Sequence, residues 1–255
     1  MCGRFSLTAT PEEVQELFGL MEVDDFPPRY NIAPTQPVLL VIAAPSQPEP
    51  GSNRPSRVAI LARWGLIPSW AKDPKDLPLL INARSETAAE KNAFRAAMRH
   101  RRALIPASGF YEWRRDKASK TSQPFWIRPV GGGLVAFGAL METYADPSGG
   151  EIDTVAVLTT RANTAIAGIH DRMPVMIRPG DFARWLDCRG NEPRDVADLL
   201  QPVEDGYFEA IAVSTKVNKV ANTGADVQEP ARPADGPRGR MAGRKVAGGG
   251  QMDLF

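Results

Sequence analysis

The middle of the chain reads as a run of short β-strands, and this run more than any other feature restricts the fold. Arg102 to Pro106, Gly109 to Trp113, Pro124 to Arg128, Leu134 to Leu140 and Thr154 to Thr160 are five strand candidates, rich in apolar, aromatic and β-branched residues. Most are joined by short polar or glycine turns, among them Gly131-Gly132-Gly133, and connections of that length suit hairpins. Val38 to Ala43 adds a buried strand and Arg57 to Trp64 a partly alternating one, joined by the Pro/Ser/Gly-rich stretch Pro45 to Pro55. Val175 to Ile177 and Phe208 to Val213 extend the set.

Helices lie around this core. Thr10-Pro11-Glu12-Glu13 is a capping box with proline at the first helical position; Val14, Leu17 and Phe18 fall on one face, and Gly19 is placed to end the helix. A second helix is expected from near Ser85 to about Met98, with shorter ones around Phe182 to Leu186 and Arg194 to Leu200. Pro27 to Pro34 reads as an extended ordered loop and Ser214 to Pro230 as irregular.

With 255 residues the chain holds one large domain or two small ones, and 43% hydrophobic content provides for a sizeable core. A net charge of +1 gives no global field, so any nucleic-acid surface must be a local patch. The two cysteines, Cys2 and Cys188, are too few for a disulfide framework or a CxxC zinc site, which suits a reducing compartment. The longest apolar run, Val38 to Ala44, is far too short to span a bilayer, and no secretory signal opens the chain. A cytoplasmic, nucleoid-associated protein is expected, with no membrane partner. The sequence has no internal repeat, no GxxxxGK[ST] phosphate loop and no GxGxxG. From about Ala231 the composition shifts to Pro, Gly, Arg and Ala and reads as a flexible basic tail, ending abruptly in Gln251-Met252-Asp253-Leu254-Phe255.

The most reactive position is the second. Removal of Met1 makes Cys2 the terminus, and one residue then carries an α-amine titrating near ~8 and a thiol near ~8.5. An aldehyde meeting that pair forms a Schiff base with the amine, and the thiol closes the imine into a five-membered thiazolidine. The plainer alternative is a small buried cysteine at a strand start. Other candidates carry similar pairs of readings. Trp70 is a core residue or a platform for stacking a base. Asn82 and Arg84 fall at an expected strand-to-helix junction, where polar side chains and free helix N–H groups can bind an anion. Arg95, Arg99, Arg101 and Arg102 around His100 are a solvated helix end or a phosphate track. Glu112, between Tyr111 and Trp113, is an outward-facing strand residue or a carboxyl whose pKa apolar company raises. His170, beside Asp171 and Arg172, taken alone is most simply a satisfied structural residue.

Six stretches in order resemble one family. They are Met1-Cys2-Gly3-Arg4-Phe5, Arg29-Tyr30-Asn31-Ile32-Ala33-Pro34, Trp64-Gly65-Leu66-Ile67-Pro68, Asn82-Ala83-Arg84-Ser85-Glu86-Thr87, Gly109-Phe110-Tyr111-Glu112-Trp113 and His170-Asp171-Arg172-Met173-Pro174. Together they are similar to the SRAP proteins, the SOS-response-associated peptidases, which shield abasic sites in DNA. The match covers roughly residues 2–230, leaving 231–255 as the tail. The resemblance implies a single α+β domain, a twisted barrel-like, mainly antiparallel β core flanked by helices. It implies that mature Cys2 crosslinks to the ring-opened aldehyde of an abasic site in single-stranded DNA. Asn82 would hold the Cys2 end and the sugar, Glu112 would move protons, and His170 would assist ring opening and release. Thr159 falls where the family has a polar site residue.

By the same resemblance Arg4, Arg84 and Arg172 look like phosphate contacts and Trp70 a base stacker, with Arg29, Asn31, Pro34 and Ser85 on the DNA-binding face. A monomer without metal or cofactor is expected. Asn222 to Pro230 follows the family's closing loop only loosely, and Lys72 to Leu77 is irregular. Two other functions compete: a thiol peptidase or hydrolase in which Cys2 attacks a peptide bond, and a non-covalent abasic-site reader. The terminal Gln251-Met252-Asp253-Leu254-Phe255 resembles the peptides with which bacterial replication proteins dock on the sliding clamp, with Gln251, Leu254 and Phe255 as anchors.

Overall fold

Strand β10, Glu151–Arg161, is the axis on which the fold is assembled. In the computed structural model, which describes residues 2–45, 56–116, 121–147 and 149–231, seven consecutive residues of this strand, Thr154 to Thr160, are buried. A strand buried on both faces needs partners on both edges. On one edge β10 pairs antiparallel with β9, Val135–Ala145, from Glu151↔Ala145 to Val157↔Ala139. Beyond that, β9 pairs with β6, Arg102–Ala107; β6 with β3, Pro37–Ala43; and β3 with β4, Arg57–Trp64, all antiparallel. Strand β4 returns to β10 in parallel through Thr154↔Arg63 and Val155↔Trp64. These five strands therefore close into a barrel, which removes the exposed edges that so apolar a set would otherwise carry.

The C-terminal part of β10 runs past the ring and collects two short strands. Strand β5, Asn82–Arg84, pairs with it in parallel, and β11, Arg172–Pro174, antiparallel. Strand β12, Met176–Ile177, adds to β9. A second sheet of five strands has the order β13-β8-β7-β1-β2: Phe208–Ala212, Ser122–Pro129, Gly109–Arg115, Phe5–Leu7 and Arg29–Ile32. It packs on the barrel through aromatic edges. Phe5 meets Trp64 at 5.1 Å and Phe137 at 5.8 Å, and Phe110 meets Phe137 at 6.2 Å, all T-shaped; within the second sheet Phe110 also meets Phe208 at 5.6 Å. Gly109 is required where β7 crosses β8, because a Cβ there would lie 2.6 Å from the Ile127 carbonyl oxygen.

Helix α1, Pro11–Phe18, forms as its capping box dictates, with Thr10 accepting from the Glu13 N–H, Glu13 accepting from the Thr10 N–H, and Gly19 left-handed at φ 62°. The remaining helices are short: α2, Arg95–His100; α3, Thr164–Ala167; and α4, Phe182–Leu186. The helix expected from Ser85 to Met98 is reduced to α2. The Ser85 N–H continues the sheet by donating to the Thr159 carbonyl at 2.9 Å, and Ala88 and Phe94 are drawn into the core. The stretch between them becomes successive tight turns, so tertiary pairing overrides local propensity. The segment expected as an extended loop, Pro27 to Pro34, contains β2, and the helix over Pro193–Leu200 is of the 3-10 type. Among the described residues no helix is long and apolar enough to cross a membrane. The calls on Met1, on the tail from residue 232 onward, and on Gln251, Leu254 and Phe255 lie outside the described residues.

Candidate active site

The residues singled out for chemistry meet where the second sheet abuts the splayed end of β10. Cys2 lies three residues before the start of β1 and is fully buried. Its carbonyl oxygen accepts a hydrogen bond of 2.8 Å from Asn82 Nδ2. Asn82 is held there because β5 is paired into β10 at Val157↔Asn82. Glu112 is on β7, the strand beside β1; the Tyr111 N–H donates to the Arg4 carbonyl at 2.9 Å, which sets the register next to Cys2. His170 sits in the loop between α3 and β11. Its Nε2 lies 3.9 Å from Glu112 Oε2.

The tautomer of His170 follows from its other nitrogen. The Arg172 backbone N–H donates to Nδ1 at 3.0 Å, so Nδ1 is an acceptor and the neutral ring carries its proton on Nε2, toward Glu112. Asp171 Oδ1 also lies 3.0 Å from Nδ1, but that side chain is 83% exposed and can turn away, whereas a backbone N–H keeps its proton. The backbone contact therefore decides the tautomer. Thr159, on β10, is fully buried, its hydroxyl 3.4 Å from the Ala83 carbonyl.

Burial dominates the electrostatics. It pushes the Cys2 thiol far above its usual range, with the Glu112 carboxylate adding to the rise. It pushes the Glu112 carboxyl up to about 7, and the charge of Asp171 acts in the same direction. It holds His170 below its usual value, Arg115 adding to the effect and Asp171 opposing it. Near neutrality the cluster thus presents a neutral thiol, a carboxyl close to half-protonation and a neutral imidazole. Such a carboxyl both gives and takes protons at working pH. Among the described residues no group of three or more His, Cys, Asp and Glu side chains can hold a metal ion.

The family model for SOS response associated peptidase (SRAP) matches residues 1–220. The chain belongs to the SRAP family. It is 38% identical over 232 residues to the abasic site processing protein YoqW of Bacillus subtilis, covering 90% of this chain and 99% of that one. It is 31% identical to the abasic site processing protein YedK of Escherichia coli, covering 90% and 100%. Against the abasic site processing protein HMCES of Xenopus tropicalis the identity is 30%, covering 87% and 76%. The fold resembles a crystal structure of a Bacteroides thetaiotaomicron protein with a TM-score of 0.74 at 22% identity, covering 91% of this chain and all of that one.

In this SRAP protein the other site candidates divide into exposed and engaged. Arg84 is exposed at the end of β5, and Trp70 is 52% exposed, whereas Trp64 is the tryptophan that fills the core. Ser85 is buried with its N–H in the sheet, so the helix N-terminus expected to bind an anion at this point is not formed. Arg4 donates to Asn31 Oδ1 at 2.7 Å and to the Val217 carbonyl at 2.8 Å, with its guanidinium 5.9 Å from the Trp113 ring centre. Buried Asn31 donates in turn to the carbonyls of Val217, Lys219 and Asn222. Both side chains therefore act as struts that fasten the irregular segment after β13 onto β1 and β2.

Arg29 donates to the Pro37 carbonyl and to Gln36 Oε1, next to half-buried Pro34 and to Thr35, whose left-handed φ of 72° is costly for a β-branched residue. Arg172 is bound by Glu86. Three of the four arginines around His100 are likewise occupied: Arg99 holds the Cys188 carbonyl, Arg101 pairs with Glu142 at 3.0 Å, and Arg102 is buried, while Arg95 is exposed. Sequence reasoning gave Glu86 and Arg115 no role. Glu86 lay inside a matched motif, but nothing local ties it to Arg172.

Proposed function

We propose that the protein, once Met1 is removed, forms a covalent thiazolidine through Cys2 with the aldehyde of an abasic site in single-stranded DNA, shielding the lesion during the SOS response. The α-amine of Cys2 attacks the C1′ aldehyde of the opened deoxyribose, and the carbinolamine loses water to give an imine. The thiol then adds to the imine carbon; its proton ends on the ring nitrogen, and the net products are thiazolidine and water. Glu112 takes and returns protons through these steps, and His170 serves the opening of the sugar ring and the reverse reaction.

The observation that carries this reading is the meeting of Asn82, Glu112 and His170 around the Cys2 end. Asn82 grips the Cys2 carbonyl at 2.8 Å, and Glu112 and His170 face each other beside it across 3.9 Å. The Oδ1 of Asn82 is buried and has no hydrogen-bond partner among the described residues, which suits it to receive the freed amine or a sugar hydroxyl. The high pKa of the buried thiol favours amine-first attack, because no thiolate is ready at neutral pH to open a peptide bond. This weighs against the peptidase reading. Arg84 and Trp70, both exposed, are the phosphate and base contacts that the surface offers.

The test is a denaturing gel with single-stranded DNA carrying one abasic site. A heat-stable shifted band is expected for the wild type and none for Cys2→Ala; an equal band from Cys2→Ala, or intact Met1 on crosslinked protein by mass spectrometry, overturns the reading. The C-terminal Gln251, Leu254 and Phe255 are proposed to tether the protein to the replication clamp through the Gly/Pro/Arg-rich tail, raising its concentration at stalled forks. Micromolar binding of that peptide, lost on changing Leu254 and Phe255 together to alanine, is the outcome expected from calorimetry.

A further inference from the structure

Three strands that carry site residues are bound together by one ion pair. Arg172, at the start of β11, extends across β10 to Glu86, two residues beyond the end of β5. Its Nη1 lies 2.5 Å from Glu86 Oε1 and its Nη2 2.8 Å from Glu86 Oε2, a two-pronged pairing that fixes the guanidinium plane. The same Nη2 donates to the Thr159 carbonyl on β10 and lies 3.4 Å from the Thr159 hydroxyl. The Arg172 side chain is only 13% exposed, and its pairing holds the Glu86 carboxyl below its usual range. An arginine this buried, with both Nη atoms engaged, is a strut before it is a surface cation.

What the strut joins is specific. Strand β5 begins with Asn82, which holds Cys2; β10 supplies Thr159; and the residue that begins β11 also sets the tautomer of His170 through its backbone N–H at 3.0 Å. Strand β11 is three residues long, paired to β10 at Thr159↔Pro174, Thr160↔Met173 and Arg161↔Arg172, with one further backbone bond from the Ala162 N–H to the Asp171 carbonyl at 2.9 Å, so its first residue lies near the end of a short ladder. Ladder ends fray first, and Arg172 lies near that end. The pairing with Glu86 anchors it from the far side of β10.

We infer that Glu86 is a positioning residue: by clamping Arg172 over Thr159 it locks the β5, β10 and β11 ends together, and so holds His170 in its Nε2-protonated tautomer facing Glu112. Glu86 need not touch the DNA to do this. The inference rests on the proposed crosslinking for its rate measurement, but its spectroscopic measurement stands apart from that reading.

Three variants test it on the full chain: Glu86→Ala, Glu86→Gln and Arg172→Lys. In nitrogen-15 spectra of the imidazoles, wild-type His170 should show a bare Nδ1 and a protonated Nε2. Glu86→Ala and Arg172→Lys should show the averaged signals of mixed tautomers, with Glu86→Gln, which keeps one hydrogen bond, between them and wild type. Crosslinking by Glu86→Ala should slow roughly tenfold to a hundredfold, the range for sub-ångström to ångström misplacement of a catalytic group. Affinity for intact single-stranded DNA should not fall. Wild-type His170 signals in Glu86→Ala, with the fold confirmed by circular dichroism, overturn the inference, as does a loss of DNA affinity equal to the loss in rate. Should Glu86→Ala fail to fold, the Glu86→Gln and Arg172→Lys spectra decide the matter in the same way. Absence of any wild-type crosslink would remove the proposed function and leave the tautomer measurement to judge the strut.

Discussion

Glu112 and Arg102 are both ionisable side chains with almost no exposure, 3% and 2%, and the protein treats them in opposite ways. Arg102 lies on β6, away from the site. Its Nε donates to the Trp185 carbonyl, Nη1 to that of Met98, and Nη2 to those of Asp187 and Asn191, while the guanidinium stacks 5.5 Å from the Trp185 ring centre. It ties the C-terminal ends of α2 and α4 to the barrel, and a cation suits helix ends that present bare carbonyls. Glu112 instead faces His170 across 3.9 Å, and burial raises its carboxyl to about 7. Where every donor nitrogen has a partner, a buried charge holds structure; where the environment disfavours the charged form, the group is ready to exchange protons.

This contrast predicts the largest effect for Arg102→Ala. It leaves four carbonyls and the Trp185 face without a partner and should cost about 3–5 kcal/mol in urea unfolding, as for other broken buried charge networks. A loss below 1 kcal/mol would mean that the helix ends are held by packing alone. Glu112→Gln should do the reverse to stability while damaging function. A carboxyl whose folded pKa is raised binds its proton more tightly in the folded state, so stability falls as pH rises from the unfolded value toward about 7 and is level above it. The glutamine variant should therefore be more stable than wild type at pH 8, by on the order of 1–3 kcal/mol, and no more stable at pH 4. Its crosslinking should slow by roughly 10²-fold, the lower range for loss of a general acid–base group, and the inflection near neutrality in the wild-type pH–rate profile should disappear. A wild-type rate across the neutral range would remove Glu112 from the chemistry.

Smaller effects separate struts from contacts among the arginines. Arg84→Ala should leave the melting temperature unchanged and lower single-stranded DNA affinity, reducing the salt slope by about one, as expected for one lost phosphate contact. Arg4→Ala should destabilise the fold by about 1–3 kcal/mol, because its partner Asn31 loses a charged donor inside the structure. If Arg4→Ala changes the salt slope and not the stability, the assignments of the two arginines must be exchanged. The smallest effect belongs to the tail: deleting Gln251 to Phe255 should leave crosslinking in vitro at the wild-type rate, and a slower reaction would give those residues a role beyond tethering.

Much of this was legible before the structure. The capping box wrote α1 correctly, because Thr10, Pro11, Glu13 and Gly19 act within a few residues of one another. The strand runs were legible for the same reason, and β9 and β10 proved longer than their apolar cores because pairing with each other carries them on to Ala145 and Glu151. The helix expected from Ser85 failed because the deciding bond, Ser85 N–H to Thr159, is long-range. The partners of Arg4 were hidden for a similar reason: no local pattern announces that its Nη1 will bond to Val217 and Asn31.

By itself the sequence determined the kinds of group available: a second-position cysteine able to become an aminothiol, a carboxyl set among aromatics, one loop histidine, and strands apolar enough to require a closed core. Those are properties of composition and short-range spacing, and short-range interactions suffice to express them. Tertiary structure alone decided which groups meet. Closure of the barrel and the splaying of β10 bring Asn82, Thr159 and His170 to one end, and the register of β7 on β1 brings Glu112 beside them. The same packing raised the Glu112 carboxyl and made Arg172 a strut, because both outcomes depend on which distant residues exclude water and offer partners, and those residues are chosen by the fold as a whole.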